Sequence, residues 1–594
     1  MRFRRLLSGL GALCLVCAVA AGSPPTPVGQ GQNGPLEVMV MGMGPTAPAD
    51  TSGSVVDVVP QAATTLSNVP TSTWTYGCSA TSAGMIFGYY DRMGYSNMYA
   101  GSTNGGVAPL TNLGQGIGAT PIAGSTSIIA TQNGHDGRAT KGHVDDYWIS
   151  TSSPGPDPWE GNWAEHTWAD CTADYMGTNQ WKWDFIGGDG VKDFNSDGST
   201  ALFSYSGSAK LFDYIPAASA GLPQTALCHG LKLFAESRGY TVYHDGANYQ
   251  NYTQKIDTLY AGGFSFADYK AEIDAGRPVM IQISNHSMVG MGYDDSGTNQ
   301  TVYLHDTWDN NMHTMAWGGS YAGRDHQGMT VIRLNTPTAQ VTGALGFGSV
   351  IVGAAVAAKN VNVAETGGLT RLDYAIGASP AGFTVSGAGS AHFLNAGQNQ
   401  NYSVTLNTAS AGNYSGPVTV SSTAVNPTTL GSATASGQVL DHSEASFNGA
   451  ADLDTLTLDF GSYTRGDTAT PLSFSLFNLV GTAGLTAGLD LDLIAAAGDN
   501  TVLTTDLATF VDLAAGSSGA YQAYLDTSLA GLYNATYTLS VSDEDLPGAV
   551  AGNSLVLTLT GEVLEPAAAV PEPSSILFAG LATMGLLTVR RRRR

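Results

Sequence analysis

The segment WTYGCSATSAGMIFGYYD, residues 74–91, decides the fold of the first half of the chain. Its apolar positions recur at helical spacing, which predicts a helix from Ser79 to Tyr90. Gly77 allows a sharp entry into that helix and leaves Cys78 at its N-terminus. The helix dipole there stabilises a thiolate, and the first backbone amides can hold an oxyanion. Taken alone, the segment fits a nucleophilic cysteine and a buried apolar cysteine equally well.

A second segment, residues 265–309, contains residues that can act as a base and as an acid. A capping box at Ser265 predicts a short helix, and three strands follow it. A cysteine hydrolase needs a base to take the thiol proton and a third group to fix the tautomer of that base. Adjacent antiparallel strands would bring His286 and Asp306 to one end of a sheet, opposite the Cys78 helix.

These segments resemble the C39-like peptidases, relatives of the enzymes that process bacteriocin leaders. The shared pattern is a cysteine on a helix followed by G-x-P-V, H-x-x-V-x-x-G-Y-D and D-x-W between Gly276 and Trp308. The resemblance implies a papain-like α+β fold and a peptide or protein substrate. It also implies Cys78 as nucleophile, His286 as general base and Asp306 as orienting acid. His305 is a weaker candidate for the orienting residue, because strand alternation turns its side chain to the opposite face of the sheet from Asp306.

The chain departs from this family at the oxyanion hole. Its members usually carry a glutamine five or six residues before the cysteine, whereas this chain has Thr73 and Ser72 there, with the nearest upstream glutamine at Gln61. Losing such a donor typically costs about 10²–10³ in rate. Two alternatives stay open: Ser72 or Thr73 serves as the donor, or the domain is a weak or inactive relative that only binds peptide or glycan.

Metal and disulfide signals are weaker. Asp193, Asn195 and Asp197 begin like a calcium loop, but position twelve is a serine instead of the bidentate glutamate, so a polar turn is the favoured reading. No other cofactor is expected. A disulfide between Cys171 and Cys228 would leave Cys78 as the unpaired thiol of an exported chain. The sequence does not establish that pairing.

The second half of the chain contains an internal repeat. The FGS turn at Phe347 recurs at Phe460, and the YSVTLNTASAGNY stretch from Tyr402 is echoed from Tyr521. Short alternating strands and glycine-rich turns predict two tandem β-sandwiches, similar to bacterial immunoglobulin-like modules. We expect them to be spacers or binding modules, and a structural or adhesive matrix role for the whole chain is the second alternative.

Both ends of the chain predict export. Three early arginines and an apolar run to Ala21 form a secretory signal peptide. The C-terminal Pro571-Glu-Pro573, an apolar stretch of about sixteen residues and five arginines resemble the PEP-CTERM signal that exosortases process. The expected partners are therefore signal peptidase, an exosortase and the inner membrane, followed by release to the cell surface or extracellular matrix.

The bulk composition agrees with this reading. The net charge of −24 and the lack of a basic stripe exclude nucleic acid as a partner. The predicted function is an exported thiol peptidase of α+β fold followed by two all-β sandwiches. The predicted division is a signal peptide at 1–22, a linker at 23–54, the peptidase domain at 55–338, the sandwiches at 339–445 and 446–565, and a sorting signal with a short transmembrane segment at 570–594.

Overall fold

The computed structural model describes most of the chain between its two ends. The described residues are 25–42, 44, 47–48, 51–56, 59–75, 77–99, 107–111, 113, 128–129, 171–178, 198–215 and 226–568. The predicted signal peptide, calcium loop and C-terminal sorting segment lie outside them. Among these residues no helix is long and apolar enough to cross a bilayer.

The described residues of the first half of the chain form four helices and two sheets. Its helices are α1 (Cys78–Arg92), α2 (Thr172–Met176), α3 (Leu227–Ser237) and α4 (Phe266–Asp274), with a 3₁₀ turn at Thr51–Ser54. Its strands are β1 (Thr26–Gly31), β2 (Gly34–Met41), β3 (Thr64–Thr65), β4 (Thr200–Tyr205), β5 (Leu211–Phe212), β6 (Asn251–Lys255), β7 (Val279–Ile283), β8 (His286–Asp294), β9 (Thr301–His305), β10 (His313–Ala316), β11 (Ser320–Tyr321) and β12 (Arg324–Ile332).

The main sheet separates two hydrophobic cores. Its strands run in the order β10-β9-β8-β7-β12-β6-β5, with β3 and β11 attached at the side. Because side chains alternate along a strand, Met280 and Val289 face the core that contains α1, whereas Ile281 and Met288 face the core beside α4. The mixed helix and sheet arrangement follows from this alternation.

Helix α1 is enclosed on every side, since all its residues from Cys78 to Asp91 are buried. Its polar residues near the N-terminus are small, and its glycines admit close neighbours. A Cβ at Gly84 would lie 2.3 Å from the Ile129 side chain. The predicted helix is therefore confirmed, and its burial on every face matches a sequence that lacks a charged stripe.

The predicted linker at 23–54 is wrong for its first half. Strands β1 and β2 form a hairpin, and β2 pairs with β4 in a separate three-stranded sheet. The reason is a run of alternating apolar residues in β2, including Leu36 and Val38, which pack against Phe203. A glycine- and methionine-rich composition hid this strand.

The described residues of the second half of the chain form strands and no helix. The first module contains β13 (Ala339–Thr342), β14 (Leu345–Ile351), β15 (Lys359–Glu365), β16 (Leu372–Ile376), β17 (Phe383–Val385), β18 (Ala391–Leu394), β19 (Asn399–Leu406), β20 (Gly412–Ser422) and β21 (Thr429–Leu440). The second contains β22 (Ala445–Ser446), β23 (Thr455–Thr464), β24 (Leu472–Asn478), β25 (Leu489–Gly498), β26 (Leu503–Thr505), β27 (Phe510–Leu513), β28 (Ser518–Leu525), β29 (Gly531–Asp543) and β30 (Leu555–Leu564).

The two modules share one topology. Each pairs a four-stranded sheet (β13-β15-β19-β17 and β22-β24-β28-β26) with a five-stranded sheet (β14-β21-β20-β16-β18 and β23-β30-β29-β25-β27). The repeated FGS turn supplies a positive-φ glycine to a bulge in each, at Gly348 (φ 75°) and Gly461 (φ 70°). Tyr414 and Tyr533 each donate a hydrogen bond to the carbonyl four residues earlier, at 3.0 and 2.9 Å. The internal repeat is thus a structural repeat.

The first module packs directly against the first half of the chain. The Tyr240 hydroxyl donates a hydrogen bond to the buried Asp373 carboxylate and accepts one from the Asn97 amide at 2.9 Å. The Val425 amide donates to the carbonyl of Arg92, the last residue of α1, at 2.9 Å. The C-terminal end of the Cys78 helix is therefore held by the first module.

Candidate active site

Cys78 is the first residue of α1 and is completely buried. Gly77 before it adopts φ 120°, and a Cβ there would lie 2.3 Å from the Gly198 carbonyl oxygen, so only glycine fits this entry. The Thr81 amide and hydroxyl both donate to the Gly77 carbonyl, at 3.0 and 2.8 Å. The N-cap residue is Gly77, which has no side chain to cap the first amides of the helix. Positive helix-dipole charge is consequently directed at the start of α1.

His286 begins β8 and is also completely buried. Its Nε2 lies 2.8 Å from the backbone carbonyl oxygen of Asp306, which assigns the ring proton to Nε2. Its Nδ1 is buried and has no hydrogen-bond partner among the described residues. The ring stacks on Trp308 with centroids 4.0 Å apart, and burial lowers the His286 pKa from 6.5 to about 3. The imidazole is therefore neutral, with a bare acceptor nitrogen.

A hydrogen bond between the residues that follow Cys78 and His286 joins α1 to β8. Ser79 and Ser287, which follow them directly, share a buried hydrogen bond of 2.7 Å. The Ser287 hydroxyl donates to Gln282 Oε1 at 2.8 Å, so the proton between the two serines belongs to Ser79. Gln282 Nε2 in turn donates to Thr330 Oγ1 at 3.0 Å. This buried chain ties the N-terminus of α1 to the start of β8.

The Asp306 carboxylate does not contact His286. It accepts hydrogen bonds from the Trp308 amide at 2.9 Å and the Tyr321 hydroxyl at 2.8 Å, and lies 3.6 Å from His313 Nε2. Burial raises its pKa. Asp306 thus contacts His286 through its main chain, which differs from the carboxylate contact that the resemblance implied. Asp306 follows the last residue of β9 and lies in the turn to β10, where the Trp308 amide and the Tyr321 hydroxyl hold its carboxylate.

Strained backbone flanks both residues. Asn285, just before His286, has φ 65°, and Thr307, just after Asp306, has φ 73°. A positive φ is rare for a β-branched residue and costs of order 1–3 kcal/mol. The Thr307 hydroxyl is also buried without a hydrogen-bond partner among the described residues. Such strain is concentrated at functional sites in many proteins.

Two further predicted site residues, Ser72 and His305, have hydrogen bonds to backbone carbonyls. The Ser72 hydroxyl donates to the Thr73 carbonyl at 3.3 Å, so its proton is directed at its own backbone. His305 Nδ1 contacts the Asn311 carbonyl oxygen at 3.1 Å and faces away from His286. An oxyanion role for Ser72 or Thr73 stays a prediction.

The predicted disulfide between Cys171 and Cys228 is not formed. Cys228 is a free buried thiol on α3, with Sγ 3.9 Å from Asn251 Nδ2, and burial strongly raises its pKa. Leu227 and Leu231 occupy the helix face that meets Cys171 in the core. Cys228 lies about 100° around the helix from Leu227, against the strand β6.

Sequence reasoning missed the polar cluster around Asp306. Ser54 Oγ lies 2.8 Å from His313 Nδ1, and His313 Nε2 lies 3.0 Å from Asp309 Oδ1. Asp306, Asp309 and His313 place possible metal ligands within 4.8 Å of one another. Each is already satisfied by protein partners, so the cluster needs no ion. The close spacing of Asp306, Asp309 and His313 in the sequence could have indicated it, whereas Ser54 comes from a distant segment.

Two parts of the chain match models of known protein families. Residues 223–324 match the Peptidase_C39 like family, and residues 569–594 match the PEP-CTERM protein-sorting motif. The first match contains His286 and Asp306 and begins after Cys78. No curated protein matches the chain.

Several solved structures share limited similarity. A protein of unknown function from Porphyromonas gingivalis W83 is 16% identical, covering 38% of this chain and 99% of its own, with a TM-score of 0.15. The D00-D0 domain of Intimin is 11% identical over 37% of this chain and 99% of its own, with a TM-score of 0.17. Human mucin-like protocadherin EC1-2 is 15% identical over 38% of this chain and 99% of its own, with a TM-score of 0.20.

The C-terminal match carries information on location. A PEP-CTERM motif indicates export, a membrane-anchored sorting signal and processing by an exosortase to a cell-surface or extracellular form. The chain carries a Peptidase_C39-like domain at residues 223–324 and a C-terminal PEP-CTERM sorting motif, and its all-β second half, from Ala339 to Leu564, fits immunoglobulin-like modules.

Proposed function

We propose that the protein is an exported cysteine peptidase of papain-like α+β fold, with Cys78 as nucleophile and His286 as general base. The observation that carries this proposal is the bare Nδ1 of His286, buried on the strand that the Ser79–Ser287 hydrogen bond ties to the Cys78 helix. A neutral imidazole with one nitrogen held by a carbonyl and the other unpartnered has the free lone pair that a general base needs. Signal peptidase would remove residues 1–22, and the inner membrane would hold the C-terminal segment before processing.

The reaction is peptide-bond hydrolysis in two steps. Nδ1 takes the Cys78 thiol proton while Sγ attacks the scissile carbonyl carbon, and the first amides of α1 hold the resulting oxyanion. The imidazolium then gives its proton to the leaving amine, and the C–N bond breaks to leave an acyl-enzyme. Water repeats the sequence and releases the acid. Because burial lowers the His286 pKa to about 3, the imidazole is neutral before the reaction begins.

Asp306 acts in this scheme through its backbone carbonyl. That carbonyl holds the proton on Nε2, and the carboxylate keeps the following turn in shape through Trp308 and Tyr321. Asp306→Asn preserves the carbonyl, so we expect it to lower hydrolysis by only about 10- to 100-fold, the range typical of supporting contacts. A loss as large as that of His286→Ala would show that the carboxylate itself orients the base.

The test compares three single variants of the mature chain on an unstructured protein substrate. Cys78→Ala and His286→Ala should each lower hydrolysis by about 10³-fold or more, because nucleophile and base act as a unit. Cys228→Ala is the matched control, since its buried thiol has a raised pKa and lies outside the site. Equal hydrolysis by Cys78→Ala and the parent protein would refute the assignment.

One observation favours a second candidate function, a non-catalytic peptide-binding protein. Cys78 and His286 both have 0% exposure, whereas an active peptidase must admit substrate to both. A thiol-reactive probe at neutral pH separates the two functions, because an activated cysteine reacts rapidly once the probe can reach it.

A further inference from the structure

Each β-sandwich module has two loops that contact the part of the chain before it. Because the five-stranded sheets share one topology, β16, β20 and β21 of the first module correspond to β25, β29 and β30 of the second. The first loop precedes β16 or β25 and contains the sequence Gly-Leu-Thr in both modules, at residues 368–370 and 484–486. The second loop joins β20 to β21 or β29 to β30. The two modules thus offer equivalent loops to the domain before them.

In the first module these loops meet the first half of the chain. The Leu369 carbonyl accepts a hydrogen bond from the Thr241 hydroxyl at 2.6 Å, and the Thr370 hydroxyl accepts one from the Thr241 amide at 3.2 Å. In the second loop, the Val425 amide donates to the carbonyl at the end of α1 at 2.9 Å. The connecting segment is held as well, since the Asn335 amide donates to the Thr241 carbonyl at 2.9 Å. Both loops and the connection therefore fix the first module in place.

In the second module the equivalent loops meet the end of the first module. The Leu485 carbonyl accepts a hydrogen bond from the Asp441 amide, and the Ala487 amide donates to the Asp441 carbonyl at 2.9 Å. The Pro547 carbonyl, in the second loop, accepts a hydrogen bond from the Ile351 amide at 2.8 Å. Ile351 and Ala487 are both 0% exposed and belong to a small apolar cluster between the modules. Main-chain hydrogen bonds and apolar burial thus make this second joint.

The connection between the modules is short and fully engaged. Only residues 441–444 separate β21 from β22, and each of them has a hydrogen bond to the second module. The His442 ring and the Ser443 amide both contact the buried Asp543 carboxylate, at 2.8 and 2.7 Å. A free linker of four residues would have a root-mean-square length of about 11 Å and would point in many directions. The hydrogen bonds hold this segment on one path.

The far end of the second module differs from the end of the first that receives it. Ile351 pairs with Leu440 at the ends of β14 and β21, and Thr464 pairs with Leu564 at the equivalent position in the second module. Ile351 is 0% exposed and Leu440 8%, whereas Thr464 is exposed and Leu564 is 47% exposed. The match to the sorting motif begins at residue 569, shortly after this exposed end. The second module therefore stands between the first module and the sorting segment.

We propose that the two modules form a rigid spacer, which holds the first half of the chain at a fixed distance and angle from Leu564, where the chain continues toward the sorting segment. The repeated joint carries this inference, because each module is fixed to the domain before it through equivalent loops. Of the two roles expected for the modules, the joints favour the spacer. The inference concerns the modules alone and holds whether or not Cys78 is catalytic.

Gly548 offers a position from which to disturb the joint between the modules. It has φ 97°, and a Cβ there would lie 2.7 Å from the Ile351 carbonyl oxygen and 2.8 Å from the Ala354 Cβ. Gly548→Val should therefore push the modules apart. Gly466→Val is the matched control, because Gly466 has φ 91° and a Cβ there meets nothing within 4 Å. Both variants have similar backbone strain, so that the contact across the joint is the difference between them.

The measurement is the distribution of distances between two spin labels in the mature chain, read by double electron–electron resonance. The labels are attached to ketone-bearing unnatural amino acids, so that the native thiols do not react. The labelled pairs replace exposed residues: Ala271 with Ser403 across the first joint, Ser403 with Ala520 across the second, and Ala520 with Leu532 inside the second module as the reference.

In the parent chain and in Gly466→Val, both distributions across the joints should be as narrow as the reference. Gly548→Val should shift or broaden the distribution across the second joint and leave the other two unchanged. A distribution across either joint of the parent that exceeds the reference width by about 10 Å, the span of a free four-residue linker, would overturn the rigid spacer.

An unchanged distribution across the second joint in Gly548→Val would overturn the joint described around this glycine. If Gly548→Val also broadens the reference distribution, the second module itself is disturbed. Gly548→Ala then replaces it, because its Cβ meets the same two atoms, and the same criteria decide the outcome.

Discussion

The buried hydrogen-bond chain behind the site predicts that two neighbouring serines differ sharply in importance. Ser79 donates to Ser287, and Ser287 donates to Gln282. Ser79→Ala removes one donor and leaves only an unused lone pair on Ser287, which should cost about 1 kcal/mol of unfolding free energy. Ser287→Ala leaves the Ser79 hydroxyl and Gln282 Oε1 both buried without that partner. That loss should cost about 2–4 kcal/mol.

The assay can report this domain selectively within the full chain. All nine tryptophans lie between residues 74 and 317, so tryptophan fluorescence during urea unfolding follows the first half of the molecule. Midpoint and slope together give the change in unfolding free energy for that transition. Ser473→Ala is the control, since it removes an exposed Ser–Gln hydrogen bond of 3.3 Å in the second module and should leave this transition unchanged.

The order of the two effects is the decisive result. Equal losses for Ser79→Ala and Ser287→Ala, or a larger loss for Ser79→Ala, would refute the proton directions assigned to the chain. A loss below about 0.5 kcal/mol for Ser287→Ala would show that water replaces the missing hydroxyl, so that the chain does not hold α1 against β8.

Three further predictions concern acid stability, the module interface and the C-terminus. Burial lowers the His286 pKa to about 3, so the folded state binds fewer protons than the unfolded state between about pH 3 and 6.5. The free energy of unfolding, measured by urea unfolding, should therefore fall as the pH drops through this window. The fall should be less steep in His286→Gln, which lacks the titrating ring. Tyr240→Phe should lower the unfolding free energy of the first half by about 2–4 kcal/mol, because it removes a hydrogen bond from the buried Asp373 carboxylate. An unchanged urea transition by tryptophan fluorescence would contradict this prediction. Replacing Pro571 and Pro573 by alanine should accumulate a membrane-bound precursor on immunoblots, whereas surface protein that keeps its five C-terminal arginines would show a permanent anchor.

Local patterns were sufficient for much of the fold. The helical spacing after Cys78, the capping box at Ser265 and the strand alternation around His286 each recur in the structure at the predicted place. The tandem repeat also appears as two modules of one topology. These features depend on residues that are close in sequence, where backbone geometry and the burial of one face decide the outcome.

The contacts between distant segments were decided by the tertiary structure. The sequence alone determined that Cys78 begins a helix and that His286 and Asp306 meet at one end of a sheet. Only the packed chain decided that Asp306 meets His286 through its carbonyl and that Cys228 stays a free thiol. The physical reason is that periodicity specifies which face of an element is buried, whereas the partner on that face depends on how elements hundreds of residues apart pack together.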